Sequence, residues 1–184
     1  MKKIVLTSAG FHNKIVEQKF LGLAQKPAAE IKALWIPTAA VNDDAKAMLP
    51  VCMNDLLNAG VLPSNITIYD LDYSMDYEEI IRYDVVYVCG GDSRYLLTRM
   101  YEAKFVEILK SFLHQGGIYI GVSAGSLICV NGFEDNLGFL PCTLNVHCPE
   151  SNVSGTTDIS QCTHINLTDM QAIILEDEKC YILE

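Results

Sequence analysis

A serine between two glycines is the residue whose type and surroundings most directly suggest chemistry. Ser123 stands in the segment 121–125, which reads GVSAG and fits the G-x-S-x-G turn that carries a nucleophile between a strand and a helix. Such a turn would expose the Ser123 hydroxyl at a sheet edge and leave the N–H of Ala124 beside it as an oxyanion donor. Small residues would equally allow a strand and a helix to pack closely, so the motif alone leaves both interpretations open.

A serine nucleophile needs a base to accept its proton, and the chain offers four histidines. His147 ends a short apolar run after the serine and is the best candidate by position. His12, near the exit of the first predicted strand, is an alternative. His114 falls within a predicted helix, and His164 lies in a weakly patterned region.

A carboxylate should orient the histidine, and a second N–H should complete an oxyanion hole. Glu134 and Asp135 lie between the serine and His147, and Glu150 follows that histidine closely; the sequence does not decide among the three. The pair Gly90-Gly91 ends a predicted strand, where backbone N–H groups are free and no side chain blocks an approaching carbonyl. An ordinary tight turn is the alternative interpretation of this pair.

The elements that must position these residues alternate between apolar runs and helical patterns. Strands are predicted at 3–8, 31–37, 66–69, 84–89, 117–120 and 143–147, and a terminal hairpin at 173–175 and 180–183. Helices are predicted after Asn13 and at 43–59, 77–82, 93–101 and 103–115, and a polar loop at 151–157. This order predicts a single α/β domain over residues 1–184, with a mainly parallel sheet of five or more strands and helices on both faces.

Composition limits the partners. The 184 residues are half hydrophobic and carry a formal charge of −10, which argues against binding to nucleic acid or an anionic membrane surface. The apolar run at the start is too short for a signal peptide, and no run approaches the roughly 20 apolar residues of a membrane span. We therefore expect a soluble cytoplasmic protein.

The seven cysteines are scattered and form no C-x-x-C pair, which indicates buried free thiols rather than a disulfide framework. A zinc protein is an alternative hypothesis, because several ligand types fall within a short span. Their spacing does not match the common two-residue knuckles. The candidate ligands are Cys142, His147, Cys148, Cys162 and His164.

Two segments together carry a resemblance to a known family. Residues 89–97 (CGGDSRYLL) and 116–126 (GGIYIGVSAGS) resemble the peptidase E (aspartyl dipeptidase) and cyanophycinase family, whose pattern is a Gly-Gly-Asn loop followed by a Gly-x-Ser-Ala-Gly elbow. The resemblance extends over most of the chain. It implies a flavodoxin-like, glutamine-amidotransferase-like three-layer α/β fold. It also implies a serine peptidase that needs no metal or organic cofactor and acts on a small peptide.

Carried over residue by residue, the resemblance makes Ser123 the nucleophile and His147 the base. It makes Gly91 and Ala124 the oxyanion donors, and we take Asp135 as the acid. The reaction would pass through an acyl-enzyme. A non-catalytic binding module that retains the shape of the site is the competing hypothesis, and a homodimer is an open expectation.

The chain departs from the family pattern in ways that bear on its substrate. Asp92 replaces the usual asparagine and adds a negative charge near the oxyanion hole. Aspartyl dipeptidases hold the substrate carboxylate with a basic residue downstream of the histidine, but here no lysine or arginine occurs between Lys110 and Lys179. Arg94 is the nearest basic candidate for substrate binding, with Asp92 beside it. We therefore expect Asp-X dipeptides to be poor substrates and a neutral or basic first residue to be preferred.

Overall fold

The computed structural model describes residues 2–155, 158–177 and 179–184. Its strands are β1 (Lys3–Thr7), β2 (Ala33–Ile36), β3 (Ile66–Ile68), β4 (Val85–Val88), β5 (Ile118–Val122), β6 (Val130–Asn131), β7 (Leu140–Asn145), β8 (His164–Asn166), β9 (Ala172–Glu176) and β10 (Lys179–Leu183). Its α-helices are α1 (Lys14–Ala24), α2 (Asp43–Asn58), α3 (Tyr77–Ile80), α4 (Ser93–Glu102), α5 (Phe105–His114) and α6 (Ala124–Leu127).

The strands form a large sheet in the order β10-β9-β1-β5-β4-β2-β3. The five strands from β1 to β3 in that order run parallel, whereas β9 and β10 are antiparallel to their neighbours. The mainly parallel α/β architecture predicted from the sequence is therefore confirmed. A small parallel sheet, β6-β7-β8, lies outside the main one.

Apolar residues cover both faces of the main sheet because successive side chains of a strand point to opposite sides. In β4, Val86 and Val88 belong to the cluster that packs against α4 and α5, whereas Val85 and Tyr87 belong to the cluster that packs against α1 and α2. The carboxyl ends of β1, β4 and β5 meet at one edge between the two layers. Residues on α2 and α4 thus approach this edge from opposite faces.

Local signals explain the helix boundaries. Asn13 and Asn42 cap α1 and α2 by accepting backbone N–H groups, and Asp76 forms a capping box with Glu79 at α3. The predicted helix after the serine is a single turn, α6. The terminal hairpin is present as β9 and β10, with residue 178 of its turn outside the described residues, as are residues 156–157 of the predicted polar loop. Among the described residues, no helix is long and apolar enough to cross a bilayer.

Candidate active site

Ser123 lies at a strained turn between β5 and α6, with φ 49° and ψ −106°. Positive φ is unfavourable for a residue with a Cβ, so the surrounding contacts must hold it there. The two flanking glycines permit this packing: a Cβ on Gly121 would lie 2.5 Å from the carbonyl oxygen of Gly125, and one on Gly125 would lie 2.5 Å from that of Val88. The turn therefore has the geometry of a nucleophile elbow.

A buried hydroxyl fastens this elbow to the end of β1. The backbone N–H of Ser123 donates to the carbonyl of Thr7 at 2.9 Å. The Ser126 hydroxyl accepts the Thr7 N–H at 2.9 Å and has the carbonyl oxygens of Thr7 and Gly121 at 2.8 Å as acceptors. Ser126 is completely buried, so its role is structural. Its hydrogen bonds hold the turn that carries Ser123 against the end of β1.

His147 contacts Ser123 directly. Its Nε2 lies 3.1 Å from Ser123 Oγ, and its Nδ1 lies 2.7 Å from Asp169 Oδ1. With Nδ1 protonated and donating to the carboxylate, Nε2 is left as the acceptor for the serine proton. The structure therefore forms a continuous Ser–His–Asp chain of hydrogen bonds, and it brings together the serine and the histidine that the sequence singled out.

The carboxylate that contacts His147 is that of Asp169, not that of Asp135, which the sequence analysis took as the acid. Asp135 lines a separate cavity on the α4 side, where its carbonyl oxygen accepts the Tyr101 hydroxyl at 3.0 Å. Glu134 lines the same separate cavity, so it too is away from His147. The parallel pairing of β7 and β8 explains the contact between His147 and Asp169, because it ends with Asn145 opposite Asn166. Beyond it, the Leu167 N–H donates to the carbonyl of Asn145 at 2.9 Å and the Cys148 N–H donates to the carbonyl of Leu167 at 3.1 Å, so the two following segments stay side by side.

Ser8 is a second residue that the sequence analysis missed. It follows β1, is completely buried, accepts the backbone N–H of His147 at 3.2 Å and donates to the carbonyl of Leu167 at 3.0 Å. One hydroxyl thus ties together the segments that carry His147 and Asp169. His147 itself has φ 57°, so this backbone contact helps to hold it in an unfavourable conformation.

The predicted oxyanion donors lie at the ends of β4 and β5. Gly91 has φ 139°, and a Cβ there would lie 1.9 Å from the carbonyl oxygen of Ala39, so only glycine fits. Gly90 packs directly under the nucleophile, since its Cβ would lie 3.1 Å from that of Ser123. Ala124 begins α6, where a backbone N–H has no acceptor within its own helix. The Ala124 N–H is therefore available to a substrate oxygen, and no side chain at Gly90 or Gly91 blocks the approach of one.

The two predicted substrate-binding residues take other positions. Asp92 is the N-cap of α4, and its carboxylate accepts the N–H of Tyr95 at 2.9 Å, so its charge is directed to the positive end of the helix. Arg94 is exposed and lines the cavity of about 650 Å³ that also contains Glu134 and Asp135. It does not line the cavity at Ser123.

The remaining histidines have other partners. His12 Nδ1 lies 2.9 Å from the carbonyl of Ala9, and His164 contacts Thr143 and Asn166. Across residues 2–155, 158–177 and 179–184, no group of three or more His, Cys, Asp or Glu side chains could hold a metal ion. The described part of the chain thus gives no support to the zinc hypothesis.

A serine at a strand–helix elbow on the carboxyl edge of a parallel sheet, paired with a histidine, is the arrangement of α/β serine hydrolases. The sequence model of peptidase family S51 matches residues 4–145. The chain belongs to peptidase family S51.

One curated relative matches part of the chain. The chain is 23% identical over 94 residues to an uncharacterized peptidase of Pasteurella multocida, a match that covers 51% of the chain and 45% of that relative. The chain thus spans less than half the length of this curated relative.

Two solved structures share the fold. A peptidase E-type protein of Listeria monocytogenes EGD-e superposes with a TM-score of 0.75 at 19% identity, covering 100% of this chain and 98% of that one. A peptidase from an acI-B1 Actinobacterium superposes with a TM-score of 0.68 at 14% identity, covering 100% and 87%. The fold expected from the resemblance to peptidase E is therefore confirmed.

Proposed function

We propose that the protein is a serine peptidase that hydrolyses small peptides through an acyl-enzyme. The observation that carries the proposal is the position of His147, whose two ring nitrogens contact Ser123 Oγ and Asp169 Oδ1. A base within hydrogen-bond reach of a nucleophile, itself oriented by a third group, is the signature of nucleophilic catalysis.

The reaction follows from this geometry. His147 Nε2 takes the proton of Ser123, and Oγ forms a bond to the substrate carbonyl carbon. The carbonyl oxygen becomes an oxyanion, which the N–H groups of Gly91 and Ala124 stabilise. His147 then gives its proton to the leaving amine as the C–N bond breaks. Water attacks the resulting ester with His147 again as base, which releases the acid and restores Ser123.

The surroundings of the triad favour short substrates. The cavity at Ser123 has a volume of about 140 Å³, enough for one side chain rather than an extended peptide. The carboxylate and the histidine ring remain about half exposed, at 49% and 50%. A bound substrate would therefore exclude water from the site and strengthen the electrostatic interactions within it.

A fluorophosphonate probe tests the nucleophile. We expect the purified protein to be labelled once, at Ser123, and labelling and peptide hydrolysis to be lost in Ser123→Ala. Ser111→Ala is the matched control, because Ser111 is an exposed helix residue that donates only to the carbonyl of Glu107. Thermal unfolding of both variants checks the fold. A folded wild-type protein that is not labelled would refute the proposal and favour the non-catalytic binding module.

A further inference from the structure

The cavity beside Ser123 is lined mainly by apolar side chains of α2. Ser123, His147, Gly90 and Gly91 form one wall. A stripe of helix residues also lines the cavity, and we call it the α2 wall: Ala45, Met48, Leu49, Val51 and Cys52. The α2 wall contributes no charged group, and the nucleophile lies at its edge.

Two members of the α2 wall are unusually exposed for apolar residues. Met48 is 51% exposed and Val51 is 39% exposed, although both line the cavity. Exposed apolar surface that is continuous with a catalytic group marks a binding surface rather than incomplete packing. The cavity volume of about 140 Å³ is close to that of the roughly 150 Å³ apolar cavity known to accept benzene. A branched aliphatic side chain or a single aromatic ring would fill it.

The charges around the cavity disfavour an ionised side chain. Apart from His147 and the thiols, no titratable side chain lines it among the described residues. Lys46 follows Ala45 on α2 but is exposed and does not line the cavity. One turn after Cys52, the Asp55 carboxylate accepts the Tyr87 hydroxyl at 2.5 Å and the Phe11 N–H at 3.0 Å. Asp55 does not line the cavity either. Among the described lining residues, a substrate carboxylate would therefore meet no lysine or arginine, and a substrate ammonium would meet no carboxylate.

We propose that the α2 wall binds the side chain of the residue that supplies the scissile carbonyl, and that it selects leucine, methionine or phenylalanine over aspartate. This inference rests on the proposed function, since it takes Ser123 as the nucleophile. A carbonyl held over Ser123 with its oxygen toward Gly91 places its acyl residue over the cavity, because Gly90, Gly91 and Ser123 form the cavity wall. Apolar burial then adds to the affinity for the acyl residue.

Diphenyl α-aminoalkylphosphonates with alanine, leucine, aspartate or lysine side chains test the inference without requiring turnover. Ser123 Oγ would form a bond to phosphorus while a phenoxide leaves, and the phenoxide takes up the proton that His147 removed from the serine. We expect the leucine analogue to inactivate the protein at least about tenfold faster than the alanine analogue. The aspartate and lysine analogues should be slower than alanine. Equal rates for leucine and alanine, or a fastest rate for aspartate, would overturn the inference.

A charge placed on the α2 wall should change the selectivity. Met48→Arg introduces a cation at a half-exposed position, so we expect the leucine-to-aspartate ratio of inactivation rates to fall by about tenfold. Ile68→Arg is the matched control, because Ile68 is 62% exposed on the edge strand β3 and away from the cavity. An unchanged ratio in Met48→Arg would contradict the assignment of the wall.

Fluorophosphonate labelling distinguishes a failure of the α2-wall inference from a failure of the proposed function. If Ser123 is labelled but the side-chain series shows no preference for leucine, the inference about the α2 wall fails and the proposed function stands. If the wild-type protein is not labelled by the fluorophosphonate, the proposed function itself fails.

Discussion

Replacement of Asp169 by asparagine should show how much the carboxylate contributes to activity by orienting His147, because Ser123 itself is unchanged. The Asp169 Oδ1 to His147 Nδ1 distance of 2.7 Å is that of a charge-assisted hydrogen bond, worth roughly 1.5–3 kcal/mol. Loss of such a bond alone reduces a rate by about 10- to 200-fold. The asparagine amide can also donate to Nδ1, which would leave Nε2 protonated and unable to accept the serine proton.

The His147–Asp169 pair is about half exposed, which should reduce the loss of rate caused by Asp169→Asn. Where the acid of a triad is buried, its replacement by asparagine costs about 10⁴-fold. Here the Asp169 side chain is 49% exposed, so water can partly replace the lost acceptor. We therefore expect kcat/KM for a dipeptide to fall about 100-fold in Asp169→Asn, mainly through kcat, since Asp169 does not line the cavity at Ser123.

The matched control is Asp135→Asn, which removes the same charge from the cavity on the α4 side. It should leave kcat/KM within about twofold of the wild type. For both variants, kcat and kcat/KM would be measured by steady-state kinetics over a range of pH. The rate of fluorophosphonate labelling would be measured as a second readout. If Asp135→Asn lost activity and Asp169→Asn did not, the assignment of the triad would be refuted.

Two further predictions concern stability. Gly91→Ala should destabilise the fold by more than about 2 kcal/mol and abolish labelling, because the new Cβ would overlap a backbone oxygen. Urea unfolding would show this against Gly116→Ala, which shares a positive φ but opens into free space; equal losses would refute the clash. Burial raises the pKa of Asp55 from 3.8 to about 6, so the folded state binds this proton more tightly than the unfolded state. Stability should therefore decrease by about 2–3 kcal/mol as pH rises from about 4 to 7, and Asp55→Asn should remove this part of the slope in urea unfolding measured across that range.

Local patterns were sufficient to predict most of the fold. Apolar β-branched runs such as 85–88 become buried parallel strands, and Asn13 and Asn42 cap helices because their side chains accept N–H groups within the same turn. The elbow was predictable for the same reason. A side chain at Gly121 would clash with the nearby carbonyl oxygen of Gly125, and a side chain at Gly125 would clash with the carbonyl oxygen of Val88 on the adjacent strand.

The carboxylate that contacts His147 depends instead on a strand pairing that the sequence pattern does not reveal. Asp169 reaches His147 because β7 and β8 pair in parallel and place Asn145 opposite Asn166, which brings together residues 22 positions apart. The strand β8 has only three residues, so it has too few apolar positions to be recognised by alternation. Asp169 follows both Ser123 and His147 in the chain, beyond the three acidic residues, Glu134, Asp135 and Glu150, that proximity in sequence suggested.

The residues that determine specificity are also hard to predict from sequence, because they depend on which face of the sheet each helix covers. Arg94 follows the oxyanion glycines by only a few residues, so proximity in sequence favoured it as a substrate ligand. The helix α4 packs on one face, however, and the cavity at Ser123 opens toward α2 on the other. Met48 lies 75 residues before the nucleophile and carries no motif, yet it lines the cavity. We therefore expect the substrate preference of this chain to depend on the helix after β2, whose residues line the cavity at Ser123 only once the parallel sheet has formed.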